Sequence, residues 1–424
     1  MQFYSVLTET SIIADSVGLN TEALRQSGPV PRIAKILLLD GYSTRTLACV
    51  RSWGRKGIAF AVGGETGWDM SLHSRYARQK FVYTSPKRSL SGFIEDVNRY
   101  AWKFGADAVF PTSEAGIMAC HQHREALACA PIIPHERDME FVFSKAKTLA
   151  GAESAGIAVP RTTRIDSHNL SILDSGDFRF PVAIKSESSE VILGDRARSS
   201  EKTTYVSSRA ELKADCGARI ARGQPVLVQE FVDGYGVGVS GLFSEGRPMV
   251  LIAHRRLRES DPCGGPSCLA ETIDLDSRIV EPTTALLAQI GFTGPAMIEY
   301  KIDRSTSRPY LMEVNGRFWG SILLASAAGL DLPYLYWKML NGLQVQPGEK
   351  RYRVGTRGRY LVGDTKCLLL SLRGKPRNWP GTMATRSAAA MAYLQSFFDP
   401  QTVELIFTGS DPAPFFARLV QPHS

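Results

Sequence analysis

The residues most able to do chemistry lie in Gly294–Ser321, where two apolar runs, Ala296–Ile302 and Tyr310–Val314, flank a polar turn rich in Arg, Ser and Thr. That pattern predicts a β-hairpin with a loose loop. Alternate residues of a strand share a face. Met297, Glu299 and Lys301 are therefore expected to point one way, as are Leu311, Glu313 and Asn315 on the partner strand. Two acids and an amide then converge on one patch, with Gly316 letting the backbone turn and Arg317 just beyond. Carboxylates with an amide oxygen are hard ligands suited to Mg²⁺ or Mn²⁺, and a neighbouring guanidinium suits a phosphate. For Glu299 alone, a solvated acid at a sheet edge is the better explanation. Glu313 stands between Met312 and Val314 and runs straight into Asn, Gly and Arg, a costly grouping to set beside a core without a task.

Other candidates lie upstream. Phe180–Lys185 is an apolar strand ending in a lysine that is poorly placed unless it meets an anion; a point charge on a flexible stem suits phosphate. Val226–Val232 reads as a buried strand, and the hairpin Gly241–Arg256 turns at Glu245–Pro248 and ends in His254-Arg255-Arg256, with Arg258 following. Such charges at a strand end are either solvated or, beside a metal–phosphate site, clamps on a transition state; Arg256 is the one singled out. His254 is expected to be a satisfied surface residue, and Gly264–Ser267 a possible backbone nest for an anion.

The elements that must position these groups follow from periodicity. Ile33–Asp40 is a continuous apolar run, as in a buried parallel strand, and a helix (44–56), a strand (58–62), a helix near 89–104 and a strand at 108–111 continue a βαβ alternation. No G-x-G-x-x-G follows the first strand, which argues against a dinucleotide site. Asp40, Ser43, Arg45 and Glu114 fall at strand ends, where such sheets place ligands; each is better explained as an ordinary loop residue, and Ser43 and Glu114 are the two kept as candidates. Leu323–Asn341 reads as one apolar core helix.

Composition sets bounds. A chain of 424 residues with 44% hydrophobic and 22% charged content is long enough for two or three packed domains and too mixed for disorder. The net charge of +8, from 50 Lys+Arg against 42 Asp+Glu, lacks the dense basic runs with interleaved aromatics that nucleic acid would require; an anionic nucleotide or acidic small substrate accounts for it. Seven scattered cysteines make no disulfide framework and are read as reduced thiols, which implies the cytoplasm. Neither a secretory leader nor a membrane-length apolar run is expected. A homodimer is compatible with the sequence, which does not specify oligomeric state.

Glu299 followed by Glu313-Val314-Asn315-Gly316-Arg317 resembles the metal-binding signature of the ATP-grasp superfamily, and Phe318-Trp319-Gly320-Ser321 is similar to its carbamoyl-phosphate-synthase-like, carboxylate–amine ligase branch. The resemblance, over most of residues 33–345, implies an α/β fold in five parts. These are an N-terminal extension (1–32), a Rossmann-like pre-ATP-grasp domain (33–135), a small subdomain with a lid (136–205), a large subdomain with the metal site (206–345) and a C-terminal cap (346–424).

The same resemblance assigns roles. Glu299, Glu313 and Asn315 would hold Mg²⁺ or Mn²⁺, with Arg317 and Arg256 catalytic. Lys145, opening a helix before Gly156-Ile157-Ala158-Val159-Pro160, would contact ATP phosphate, with Ser144 where the family usually has Asp; a solvated helix lysine is the alternative. Lys185 would meet the α- and β-phosphates. Gln229, Glu230, Phe231 and Val232 would form the adenine hinge. The residues after it, Gly236-Val237-Gly238, offer no ribose ligand. The usual glycine-rich lid is replaced by Ser186–Ser200, with hydroxyls and the guanidiniums of Arg196 and Arg198 as substitute phosphate donors. The implied activity joins a carboxylate to an amine, amino acids by default, through an acyl phosphate. Its rivals are a carboxyphosphate-forming enzyme and an idle nucleotide-binding protein.

Overall fold

The structure is a computed structural model that describes residues 33–421; the extension expected at 1–32 lies outside them. The first sheet is parallel throughout. Its strands β1 (Lys35–Leu38), β2 (Ala59–Gly64), β3 (Lys80–Val82), β4 (Ala108–Phe110) and β5 (Ala130–Pro131) lie in the order β3-β2-β1-β4-β5. In β1, Ile36 and Leu38 join one core cluster while Leu37 joins another, so both faces are covered, which is why the strand reads as an unbroken apolar run. Helix α1 (Thr44–Lys56) covers one face, and α2 (Leu90–Phe104) and α3 (Glu114–Gln122) the other. Each starts at a serine, Ser43, Ser89 or Ser113, whose hydroxyl accepts a first-turn N–H.

Helices α4 (Glu136–Phe143) and α5 (Lys145–Ser154) lead into a four-stranded antiparallel sheet. It consists of β6 (Thr162–Ile165), β7 (Val182–Ser186), β10 (Thr204–Val206) and β11 (Val226–Glu230), in the order β10-β7-β11-β6. Between β7 and β10 the chain projects a separate hairpin, β8 (Glu190–Leu193) and β9 (Arg196–Ser199). Because β11 lies between β7 and β6, the expected subdomain division at residue 205 cuts through this sheet.

The largest sheet has the order β16-β15-β12-β13-β14-β17-β18. Its long strands are β12 (Gly234–Ser244), β13 (Arg247–Glu259), β14 (Ser267–Ile273), β15 (Gly294–Asp303) and β16 (Pro309–Asn315). The last two, β17 (Arg357–Arg359) and β18 (Thr402–Glu404), come from the tail. The segment expected to be a cap is thus part of the sheet. The single helix expected over 323–341 is two, Ile322–Ala327 and Leu332–Leu340. Gly329, at φ 97°, breaks the run, and Asp331 caps the second helix by accepting from the Tyr334 N–H.

One apolar cluster runs through the first sheet, the large sheet and the tail, including Trp53, Ile252, Met297, Phe318, Ile406 and Ala417. Among the described residues no helix is long and apolar enough to cross a membrane, and all seven cysteines are free thiols.

The tail is also tied to α1 by charge. Arg51 Nε donates to Asp411 Oδ2 at 2.9 Å, its remaining nitrogens donate to the carbonyls of Leu405, Ile406 and Asp411, and Ser74 Oγ and the Arg75 N–H complete the carboxylate. Both side chains are buried, and breaking such a pair strands a charge away from water. Asp411→Ala is therefore expected to lower unfolding free energy by about 3–5 kcal/mol in denaturant titration. A change below about 1 kcal/mol would show that the pair does not hold the tail.

Candidate active site

The cross-strand register sets Glu299 directly opposite Glu313, and Met297 opposite Asn315. A bulge follows, so that Tyr300 pairs with Leu311 and Met312 is extra. Glu313 and Asn315 stay on the same side as Glu299, whereas Leu311 is turned to the opposite core, contrary to simple alternation. Gly316 also differs from expectation. It is absent from the residues with positive φ, and its lack of a Cβ matters because Val142 of α4 packs where one would be, 2.5 Å away.

Two facing carboxylates repel, and burial raises their cost further. Cations from four elements offset it. Arg256 of β13 reaches Glu299 Oε2 with Nη2 at 2.5 Å. Lys145, the first residue of α5, has Nζ 3.9 Å from Glu313 Oε2 and donates to Ser189 Oγ. Lys185 ends β7 and donates to Gln229 Oε1 at 2.6 Å; Gln229 in turn donates to Thr162 Oγ1. Arg317 Nη2 lies 3.8 Å from Glu114 Oε2 of α3. Burial pushes Glu299 up, with the neighbouring Glu313 adding to the rise and Arg256 opposing it. Burial acts on Glu313 too, but Lys145, the Asn315 hydrogen bond, Lys185 and Arg256 together hold it below its ordinary value. Lys185 is brought down to about 8, chiefly by burial.

Arg256 crosses β12 to reach Glu299, and Gly236 makes the crossing possible: a Cβ there would sit 2.8 Å from Arg256 Cδ. At Gly238, which pairs with both His254 and Glu299, a Cβ would overlap the His254 ring. The glycines that offered no ribose ligand thus seat two side chains.

The donor set fits a hard divalent cation. It comprises two carboxylates and an amide whose Nδ2 donates to Glu313 Oε1 at 3.1 Å, which turns the Asn315 oxygen free of that bond. Among the described residues no group of three or more His, Cys, Asp or Glu could hold a metal alone, so phosphate oxygens would have to complete the shell, as is usual for Mg²⁺.

The hinge residues have varied surroundings. The N–H of Glu230 is bonded to Arg161 O and that of Phe231 to Pro181 O; Val232 N–H has no backbone partner among the described residues. The Phe231 ring packs edge-on against Tyr205 and Trp379 of the tail, under Lys301 Nζ, and is not free to sandwich a purine.

The lid hairpin is docked on the first domain. Asp195 at its tip accepts from Ser89 Oγ and the Ser91 N–H at the start of α2, an anion at a helix N-terminus, and Lys87 pairs with Glu190. Arg196 and Arg198 are exposed rather than gathered as phosphate donors. In the loop after β13, Gly265 N–H donates to Glu259 Oε2, so the expected nest is already filled by a carboxylate. Asp40 is internal, accepting from Thr112 N, Ser113 N and Ser113 Oγ. Ser43 caps α1 and accepts from Arg45 Nε.

Beside the carboxylates a cavity of about 480 Å³ opens between the first domain, the large sheet and the tail. Arg256, Glu299, Glu313, Asn315 and Arg317 form one side, and Thr44, Arg45, Tyr360, Ile406 and Arg418 contribute to the rest. Sequence reasoning reached Arg45 and Glu114 only as strand-end residues, and had no signal for Tyr360 or Arg418.

His254 is not the surface residue expected. It is 3% exposed, with Nε2 3.4 Å from Ser321 Oγ, and burial lowers its pKa to about 3. An unfolded histidine takes a proton near pH 6.5, so the unfolded chain binds the proton first. This contribution to stability is full above about pH 6.5 and is lost as pH falls towards 3. The expected loss is about 2 kcal/mol between pH 7 and 5. His254→Gln should unfold with a correspondingly shallower dependence on pH in that window, and an unchanged slope would count against a neutral buried imidazole.

Comparison with known proteins places this geometry. The family model described as "ATP-grasp in the biosynthetic pathway with Ter operon" matches residues 222–360, from β11 through β17. Rhizobium etli pyruvate carboxylase superimposes with a TM-score of 0.57 at 18% identity, over 77% of this chain but only 30% of that one. Bacillus licheniformis L-amino acid ligase gives 0.55 at 17% identity, covering 77% of this chain and 79% of that one. Campylobacter jejuni biotin carboxylase, in a β,γ-ATP complex, gives 0.59 at 16% identity, covering 77% and 74%. None of the curated proteins matches the sequence. The three-part α/β architecture is the ATP-grasp fold, and within it residues 222–360 match an ATP-grasp family model.

Proposed function

We propose that the protein is an ATP-dependent carboxylate–amine ligase, forming an amide or peptide bond and releasing ADP and phosphate. The observation that carries this reading is the facing pair Glu299–Glu313 with Asn315, ringed by Lys145, Lys185, Arg256 and Arg317 and open to the cavity. Mg²⁺ or Mn²⁺ held by Glu299, Glu313 and Asn315 would supply charge neutralisation for the phosphates of ATP. Lys145 and Lys185 orient the phosphate chain as point charges. Val232 offers its N–H to the purine edge from the end of the hinge.

A carboxylate oxygen of the substrate attacks the γ-phosphorus, and ADP leaves with the electrons of the broken P–O bond. Arg256 and Arg317 stabilise the charge on the transferring phosphoryl group and on the acyl phosphate. The amine nitrogen then attacks the acyl carbon, phosphate departs, and the proton lost by nitrogen passes to solvent. Positioning and charge do the work, and no side-chain nucleophile is required. Amino acids are the default substrates, and the similarity to an L-amino acid ligase supports that class through fold alone.

The test is Mg²⁺-dependent ADP and phosphate release by the full chain across paired pools of carboxylates and amines. Release is expected to need both partners and to fall by about 10²-fold or more in Glu313→Ala, the scale of losing one electrostatic stabiliser in a buried site. Release stimulated by bicarbonate without an organic acid would replace this reading with carboxyphosphate formation. Nucleotide binding with no release in any pool would overturn it in favour of an idle site.

A further inference from the structure

The cavity holds more positive charge than activation of one carboxylate uses. Arg256 is paired with Glu299 and Glu259, and Arg317 lies beside Glu114. The other two guanidiniums that line the cavity, Arg45 of α1 and Arg418 of the C-terminal helix Ala413–Val420, form no ion pair among the described residues. Arg45 Nε donates to Ser43 Oγ, which is neutral. Arg418 makes no hydrogen bond to the described residues and is partly buried beside Ala417 and Ile406. Burial lowers the pKa of both; Arg317 lowers that of Arg45 further, while Tyr42, Asp40 and Glu114 act on it in the opposite sense. A half-buried guanidinium without a directly paired carboxylate is costly, and here two from opposite ends of the chain face one cavity.

Their placement is firm. Arg45 lies in the first turn of α1, whose Thr44 Oγ1 donates to Gly320 O at 2.9 Å; Tyr360 OH donates to the same carbonyl at 2.6 Å. Gly320 follows directly on the Arg317–Trp319 stretch, so one carbonyl joins first domain, catalytic loop and tail at the cavity wall. The Arg51–Asp411 pair fixes the turn before the C-terminal helix against α1 itself. Met297, Trp319, Val362 and Ile406 supply apolar wall between the charges.

We propose that the cavity takes a small acid bearing two anionic groups, one presented to the Glu299–Arg317 centre for activation and the second held by Arg45 and Arg418. The proposal rests on the ligase reading for the fate of the first group. The second is a carboxylate or a phosphate monoester, both of which a guanidinium meets through paired hydrogen bonds.

The experiment is calorimetric titration of the full chain, with Mg²⁺ and ADP present, using matched pairs: L-glutamate against L-glutamine, succinate against succinamate, and O-phospho-L-serine against L-serine. At least one dianion is expected to bind about tenfold or more tightly than its neutral-tailed partner, the scale of one charge-assisted contact out of water. The pair that shows the preference tells carboxylate from phosphate. Arg45→Gln and Arg418→Gln should each remove most of that preference, and Arg418→Lys, which keeps the charge, should retain part of it. Unfolding temperatures identify any variant that fails to fold, and the wild-type comparison needs no variant. Equal binding within every pair, binding by none of the dianions, or a preference that survives in the Arg45→Gln, Arg418→Gln double variant overturns the proposal. A dianion preference without ADP-forming turnover would leave it standing and sink the ligase reading instead.

Discussion

The site answers to one electrostatic constraint: two half-buried glutamates face each other across adjacent strands at the wall of a cavity. Like charges directly opposite destabilise a sheet, and their removal from solvent adds to the penalty. The carboxylates divide the difference. Glu299 is pushed up by burial and by its neighbour, while Glu313 is held down because Lys145 and Lys185 both act on it. No single strand could supply the required cations. Lys145 comes from a helix start, Lys185 from the small sheet, Arg256 from two strands away and Arg317 from the loop after β16. The division into two sheets facing a common site is what brings them together.

The same constraint explains why the first domain and the tail are held so firmly. Glu114 approaches Arg317 from α3, and its Oε1 is buried without a hydrogen-bond partner among the described residues. Such an arrangement persists only if the surrounding contacts over-determine the geometry. The continuous apolar cluster and the Arg51–Asp411 pair provide that rigidity. The β8–β9 hairpin is fixed differently, by a few polar bonds from its tip to the start of α2, so it is held less firmly than the core elements.

The hairpin, the first parallel sheet and the acid–amide grouping were legible because each rests on short-range periodicity. Strand alternation places Glu299 and Glu313 correctly, and the unbroken apolar run of β1 is what a doubly covered strand requires. Alternation failed at Leu311, since a bulge depends on the partner strand and leaves no mark in composition. It failed for the tail as well: β17 and β18 are three residues each, too short to carry a period, and they exist because β14 offers an edge. His254 was misread because its burial depends on Gly238 sixteen positions away. The packing of the Phe231 ring against Trp379 was not legible, because it is a contact across nearly 150 residues that no local pattern announces.

Gly236 and Gly238 show how such long-range requirements can still be read once the site is known. A strand interior usually loses stability with glycine, through backbone entropy and the missing side chain. Two at alternate positions in β12, between the strand that carries Glu299 and the strand that carries Arg256, form a shallow trough on one face. Arg256 lies over Gly236 and the His254 ring over Gly238, and the Arg256 guanidinium therefore meets Glu299 across an intervening strand, a distance that ordinary cross-strand pairing would not bridge. The loss in sheet stability is exchanged for a cation placed beside the carboxylates without a backbone excursion. A glycine pair of this kind is better taken as the imprint of a large side chain lying across the strand than as a place where a ligand residue is missing.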